Sequence, residues 1–181
     1  METSISSPEV GIVPLEDVDM RVVRFLEEEL SNIFKLKFTV FSPLPLPPFS
    51  FNPSKNQYFS SPILQLLKEK ISCFKVIGIT DRDLYVPGLN FIFGQAELGG
   101  RVAIVSIARL KESFYGKEED LGKLKIRTLK ECLHELGHTF GLRHCVSPGC
   151  VMNFSNSIYE VDRKGITFCD SCACFLHHLK R

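Results

Sequence analysis

The sequence predicts an α/β (α+β) protein: a mixed, mostly parallel, five-stranded twisted sheet with an antiparallel edge strand, helices packed against it, and a small Cys-rich C-terminal subdomain. Three observations carry this expectation. Short apolar runs alternate with helical patterns in the first half of the chain, which implies parallel strands joined by right-handed crossovers. Gly99-Gly100 separates two β-patterned runs, marking a hairpin and hence an antiparallel pair. Beyond Gly141, periodic segments give way to clustered cysteines, so bound metal is expected to replace part of a hydrophobic core there.

The elements follow in order. Val10–Val13 reads as a short buried strand ended by Pro14. Asp17 or Asp19 caps a helix whose apolar positions Val22, Val23, Phe25, Leu26, Leu30 and Ile33 recur at helical spacing. Leu36–Phe41 alternates as a strand. Ser42–Pro53 holds five prolines and is expected to be an irregular surface loop with apolar anchors. Ser61-Pro62 opens a second helix through Ile63, Leu66, Leu67 and Ile71, with proline in the permitted first turn. Phe74–Thr80, Asn90–Glu97 and Arg101–Ile107 are the remaining strands, and a long helix runs from about Glu118 to Phe140. One domain is expected over 1–181, with an N-terminal subdomain to about 141 and a C-terminal one over about 142–181.

Composition narrows the function. Of 181 residues, 44% are hydrophobic and 24% charged, which suits a globular chain and excludes a disordered one. A net charge of +1 argues against nucleic-acid binding and a polybasic membrane anchor. No apolar run reaches the roughly 20 residues of a membrane helix, and Met1–Pro8 does not read as a secretory signal, so a cytoplasmic, monomeric protein is expected. The chain has seven cysteines, an odd number, which disfavours a disulfide framework. Cys145, Cys150, Cys169, Cys172 and Cys174 crowd the last quarter, and the first histidine is His134. The chemistry is therefore expected late in the chain.

The central segment is His134-Glu135-Leu136-Gly137-His138-Thr139-Phe140-Gly141-Leu142-Arg143-His144. One helical turn separates His134 from His138, so both imidazoles can face one ion. Gly141 permits the positive φ that ends the helix and returns His144 as a third ligand. Three neutral imidazoles leave a fourth tetrahedral position for water, the arrangement of a catalytic zinc site. Zinc lowers the pKa of such a water to about 7, and Glu135 beside it is the expected general base. Cys145, Cys150, Cys169 and Cys172 form two closely spaced pairs, which reads as a closed, structural Cys₄ zinc site, with a redox pair or disulfides as the competing readings. Cys174, His177 and His178 are expected to be packing, surface or tail residues, and Cys73 and Cys132 core thiols.

These motifs resemble the metzincin zinc peptidases, with Met152 at the Met-turn that lies beneath the metal ligands. The run His134…His144-Cys145-x₄-Cys150-x-Met152…Cys169-x-x-Cys172 is similar, within metzincins, to the archaemetzincins (archaelysins); Thr80–Tyr85 and Phe93–Ala96 add weaker likeness. The resemblance implies two zinc ions per chain, one catalytic and one structural, and hydrolysis of peptides or small proteins. It also implies that Asn90–Glu97 is the antiparallel edge strand above the zinc, where a peptide substrate can pair. Some metzincins carry a tyrosine two residues after the methionine; Phe154 stands there, and Tyr159 is a substitute candidate for an oxyanion donor. Because Cys145 follows His144 directly, the Cys₄ zinc is expected to brace His144 and the Met152 turn. A non-catalytic zinc-binding or redox-sensing module on the same fold is the alternative.

Overall fold

The computed structural model describes residues 8–179. Its elements are β1 (Glu9–Leu15), α1 (Met20–Phe34), β2 (Lys37–Val40), β3 (Phe51–Asn52), β4 (Gln57–Phe59), α2 (Ser60–Lys70), β5 (Lys75–Thr80), β6 (Leu84–Tyr85), β7 (Gly94–Ala96), β8 (Val102–Ser106), α3 (Leu121–Thr139), α4 (Ile158–Arg163) and α5 (Asp170–Leu179). The main sheet has five strands in the order β2-β1-β5-β8-β7. All neighbours are parallel except β7, which runs antiparallel to β8 at the edge.

Strand periodicity sorts the side chains into two layers. Val10 and Ile12 of β1, Ile77 and Ile79 of β5, and Ala103 and Val105 of β8 pack with α1 and α3. Val13, Leu15, Val76, Val102 and Ile104 face the other way, onto α2. The cluster under α1 and α3 continues into the C-terminal region through Val151, Met152, Val161, Cys172 and Leu176. Buried charge also ties α4 to α3: Lys130 Nζ donates to the Val161 and Asp162 carbonyls, both at 3.0 Å, and Arg127 holds Asp162 at 2.7 Å. No helix among the described residues is long and apolar enough to cross a membrane.

Several expectations are corrected. Pro14 does not end its strand; it lies inside β1, opposite Ile79. Its missing N–H faces the side where β2 has already stopped at Val40, and its carbonyl still accepts from Leu44 N at 3.0 Å. The proline-rich segment is not wholly irregular: after a short 3₁₀ turn at Pro48–Ser50 it supplies β3 to a small second sheet, β3-β4-β6. The edge strand is shorter than Asn90–Glu97, because Ile92 is drawn off to bridge Leu84, with Ile92 N donating at 2.9 Å. Beyond Gly141, two helices form that the sequence pattern did not single out, α4 and α5. Cys73 lies outside any strand and is only half-buried, whereas Cys132 is fully buried.

Candidate metal centres and active-site cleft

Asp120 caps α3 by accepting from Lys123 N at 2.9 Å, and the helix carries the histidine motif to Thr139. It stops in a glycine-centred turn. Gly141 has φ +95°, its N–H bonds the His138 carbonyl at 2.9 Å, and Leu142 N bonds the Gly137 carbonyl at 3.0 Å. The reversal brings His144 back over the helix, its ring centroid 5.2 Å from that of His134 and 5.0 Å from that of His138. The ligand-capable nitrogens of the three residues lie within 4.8 Å of one another.

Their hydrogen bonds fix which nitrogens are free. His134 Nδ1 meets the Val151 carbonyl at 3.0 Å and His138 Nδ1 meets the Leu142 carbonyl at 2.7 Å. A carbonyl only accepts, so each Nδ1 carries the proton and each Nε2 presents a lone pair. Those two Nε2 atoms stand 3.0 Å apart. Facing lone pairs repel unless a cation lies between them. Zinc–nitrogen bonds of about 2.0–2.1 Å in a tetrahedron space two nitrogens by about 3.3 Å, so the donor set fits zinc. Burial drives the His134 pKa down to about 2 and also lowers those of His138 and His144, with the Lys164 ammonium adding to the effect at all three. All three rings are therefore neutral and able to bind metal near pH 7.

Glu135 is buried beside His134, and burial, with the nearby Glu131 carboxylate, raises its pKa while the Lys164 ammonium opposes the rise. Lys164 itself is buried against Glu131, Nζ to Oε1 2.8 Å. Met152 is fully buried beneath the helix. It packs directly against Gly137: a Cβ there would lie 2.5 Å from Met152 Sδ. The histidines and Glu135 open onto a cleft of about 560 Å³, walled by β7 on one side and by Phe154, Ser155 and Asn156 on the other.

The four cysteines Cys145, Cys150, Cys169 and Cys172 form a second cluster, with every Sγ within 4.8 Å of the others. All are free thiols, so the disulfide reading fails for this structure. The Cys145–Cys169 and Cys150–Cys172 sulfurs are 3.8 and 3.9 Å apart. Zinc–sulfur bonds of about 2.3 Å in a tetrahedron give about 3.8 Å, so this set also fits zinc. Backbone N–H groups of Ser147 and Cys169 point at the Cys145 and Cys150 sulfurs, both at 3.4 Å. A backbone hydrogen bond from Cys172 helps pull the Cys169 pKa down to about 6, while burial pushes Cys172 up. None of these cysteines lines the cleft.

The clusters are joined by backbone. Cys145 N bonds the Met152 carbonyl at 3.0 Å, and Asn153 Nδ2 donates to the Cys145 and Ser147 carbonyls at 2.7 and 2.9 Å. Val151, whose carbonyl holds His134, bonds through its N–H to the Thr167 carbonyl at 2.9 Å. Cys174, His177 and His178 sit exposed on α5 and belong to neither cluster. Tyr159 is 74% exposed on α4 and does not line the cleft, so the structure gives no support to it as an oxyanion donor. Sequence reasoning missed Gly94, Gly137 and Asn153, together with the two orienting carbonyls. Most of these roles arise from contacts between separate segments; the Leu142 carbonyl, four residues from His138, is the local exception.

A mixed sheet with one antiparallel edge strand, set beside a helix that presents histidines to an open cleft above a buried methionine, is the architecture of the metzincin class of zinc metallopeptidases. The model of peptidase family M54 matches residues 65–181. The chain is 42% identical over 170 residues to an archaemetzincin of Pyrococcus furiosus (89% of this chain, 88% of the relative). It is 40% identical over 163 residues to one of Methanocaldococcus jannaschii (90% and 89%). The crystal structure of archaemetzincin from Methanopyrus kandleri superposes with a TM-score of 0.87 at 37% identity, covering 100% of both chains. That from Archaeoglobus fulgidus, complexed with malonate, gives 0.81 at 38% identity, covering 92% of this chain and 99% of the other. The chain belongs to peptidase family M54, the archaemetzincins, and is a zinc metallopeptidase.

Proposed function

We propose that His134, His138 and His144 hold a catalytic zinc ion, that Cys145, Cys150, Cys169 and Cys172 hold a second, structural one, and that Glu135 is the general base of peptide hydrolysis. The observation that carries the reading is the pair of facing Nε2 atoms, 3.0 Å apart, whose Nδ1 partners are already committed to carbonyls. Bound there, zinc supplies a Lewis acid that makes water nucleophilic at neutral pH. Glu135 takes the proton of the attacking water on a carboxylate oxygen and delivers it to the leaving amine nitrogen.

The substrate is a peptide, laid along β7. The Phe93 carbonyl and Glu97 N–H are used by β8, accepting from Ser106 N at 2.8 Å and donating to Val102 O at 3.0 Å. Strand alternation therefore turns the backbone groups of Gly94 and Ala96 toward the cleft, where an extended peptide pairs with them. Residues 142–181 act as a small lobe of the same domain, with the Cys₄ zinc as its anchor. A cluster of free thiols suits a reducing compartment, and we place the protein in the cytoplasm, working as a monomer.

The test is metal analysis with a peptide-library digest, with and without chelator. We expect two zinc ions per chain and cleavage that the chelator abolishes. Glu135→Gln should keep both ions and lose about 10²- to 10⁴-fold in kcat. Turnover retained by that variant would remove Glu135 from the mechanism.

A further inference from the structure

Glu135 sits in an unusual position for a buried carboxylate. It is 5% exposed, yet among the described residues no protein hydrogen-bond donor reaches it. The charges acting on it are Glu131 and Lys164, and these two are already paired with each other at 2.8 Å. Glu135 opens onto the cleft, and what it packs against there bears on where its carboxylate stands.

The edge strand supplies the contact. A Cβ built on Gly94 would lie 2.7 Å from Glu135 Cγ and 2.7 Å from its Oε1, closer than non-bonded atoms approach. Glu135 therefore rests directly against the backbone of β7. Gly94 is not among the glycines with positive φ, so its backbone conformation is open to any residue. What the position demands is the missing side chain, as expected of a strand glycine where another group approaches closely. The residue is also one whose backbone groups turn toward the cleft, so it adjoins both the carboxylate and the place where substrate pairs.

We propose that Gly94 is a positioning residue for the general base: the bare backbone of the edge strand is the wall that sets where the Glu135 carboxylate stands relative to the substrate. This deepens the assignment of Glu135 as base and rests on it. A side chain at position 94 pushes the carboxylate out of line while leaving the three imidazoles, which lie on other contacts, able to hold zinc.

The test is a cycle of four proteins: wild type, Gly94→Ala, Glu135→Ala and the double variant. Zinc content, thermal midpoint with and without metal, and peptidase kinetics are measured on each. Gly94→Ala should keep its zinc and lose about 100-fold in kcat, the order expected for an ångström-scale misplacement, with KM within about twofold. The thermal midpoint should fall by several degrees in Gly94→Ala, and less than half of that fall should persist when Glu135 is already Ala.

The cycle separates a second contact, because the same Cβ would lie 2.7 Å from the Ile104 carbonyl of β8. An equal fall in both backgrounds would assign the glycine to that hairpin contact and overturn the proposal. Unchanged kcat in Gly94→Ala, or loss of zinc or fold that removing Glu135 does not relieve, would overturn it too. Should Glu135→Ala keep its turnover, the base assignment fails, while coupling between positions 94 and 135 in the thermal midpoints still reports whether the contact exists.

Discussion

The two candidate metal clusters are built from opposite materials. The histidine cluster takes two donors from a single helix, one turn apart, and a third from the turn that ends it; one side opens on a cleft. The cysteine cluster takes donors from a loop and from the start of α5, has Cys150 and Cys172 buried, and touches no cleft. Protein contacts orient two of the three rings, through the α3 backbone and the Val151 and Leu142 carbonyls. The cysteine sulfurs have weaker protein partners: the Cys145–Cys169 and Cys150–Cys172 pairs stand 3.8 and 3.9 Å apart, and backbone N–H groups meet two of the sulfurs at 3.4 Å. An open site suits turnover, and a closed one suits stability.

The largest effect should come from breaking the closed site. Structural zinc sites contribute roughly 10–16 kcal/mol of apparent binding free energy in small peptides, and Cys145 and Cys169 each supply one donor here. Cys169→Ser should release the structural ion and unfold much of the segment after Leu142. Because Cys145 N and the Met152 carbonyl are bonded, the histidine ion should be held less tightly as well. Metal analysis should then find fewer than one zinc per chain, with peptidase activity lost. A variant that keeps one ion and full activity would show the two centres to be independent.

The contrast also explains what the sequence could and could not show. The histidine grouping was legible because helical geometry turns the spacing of His134 and His138 into proximity, and the Gly141 turn accounts for His144. The cysteine pairs were legible for a similar reason, being local within each pair. The small β3-β4-β6 sheet was not, since Tyr58 pairs with Leu84 across a long separation and the prolines around it argue against strands. Helix α5 was hidden because its buried stripe is only Cys172 and Leu176, too short to show a period. Edge strand β7 was overextended because Phe91 and Phe93 mimic strand alternation while packing against each other, ring centroids 5.1 Å apart.

A smaller perturbation should loosen the link without breaking either centre. Asn153 uses its side-chain amide to clasp the Cys145 and Ser147 carbonyls. Asn153→Ala removes both bonds, each worth about 1 kcal/mol, and leaves all seven candidate ligands in place. Groups that orient metal ligands from behind typically change metal affinity by about 10- to 100-fold. Chelator competition should show the histidine ion weakened by about tenfold. Unchanged competition would mean that the Cys145–Met152 backbone bond alone carries the brace.

The smallest effect should come from Gly137, because two terms oppose each other there. Replacing a helical glycine by alanine gains up to about 1 kcal/mol of helix propensity, less in a last turn such as this one. Against it, the new Cβ would lie 2.5 Å from Met152 Sδ, 3.1 Å from its Cε and 3.4 Å from a Phe168 ring carbon. Overpacking of a filled core costs about 1–3 kcal/mol, but methionine has three rotatable bonds and yields more easily than most side chains. The net for Gly137→Ala should be a loss of about 1 kcal/mol, seen as a fall of a few degrees in the thermal midpoint. Met152→Ala alone should cost more, since it empties a fully buried site. Adding Gly137→Ala to it should then restore stability rather than remove it, because the helix gain remains and the clash is gone. If the double variant is less stable than Met152→Ala, glycine at 137 serves the helix backbone, and the methionine beneath the histidines is there for reasons other than close approach.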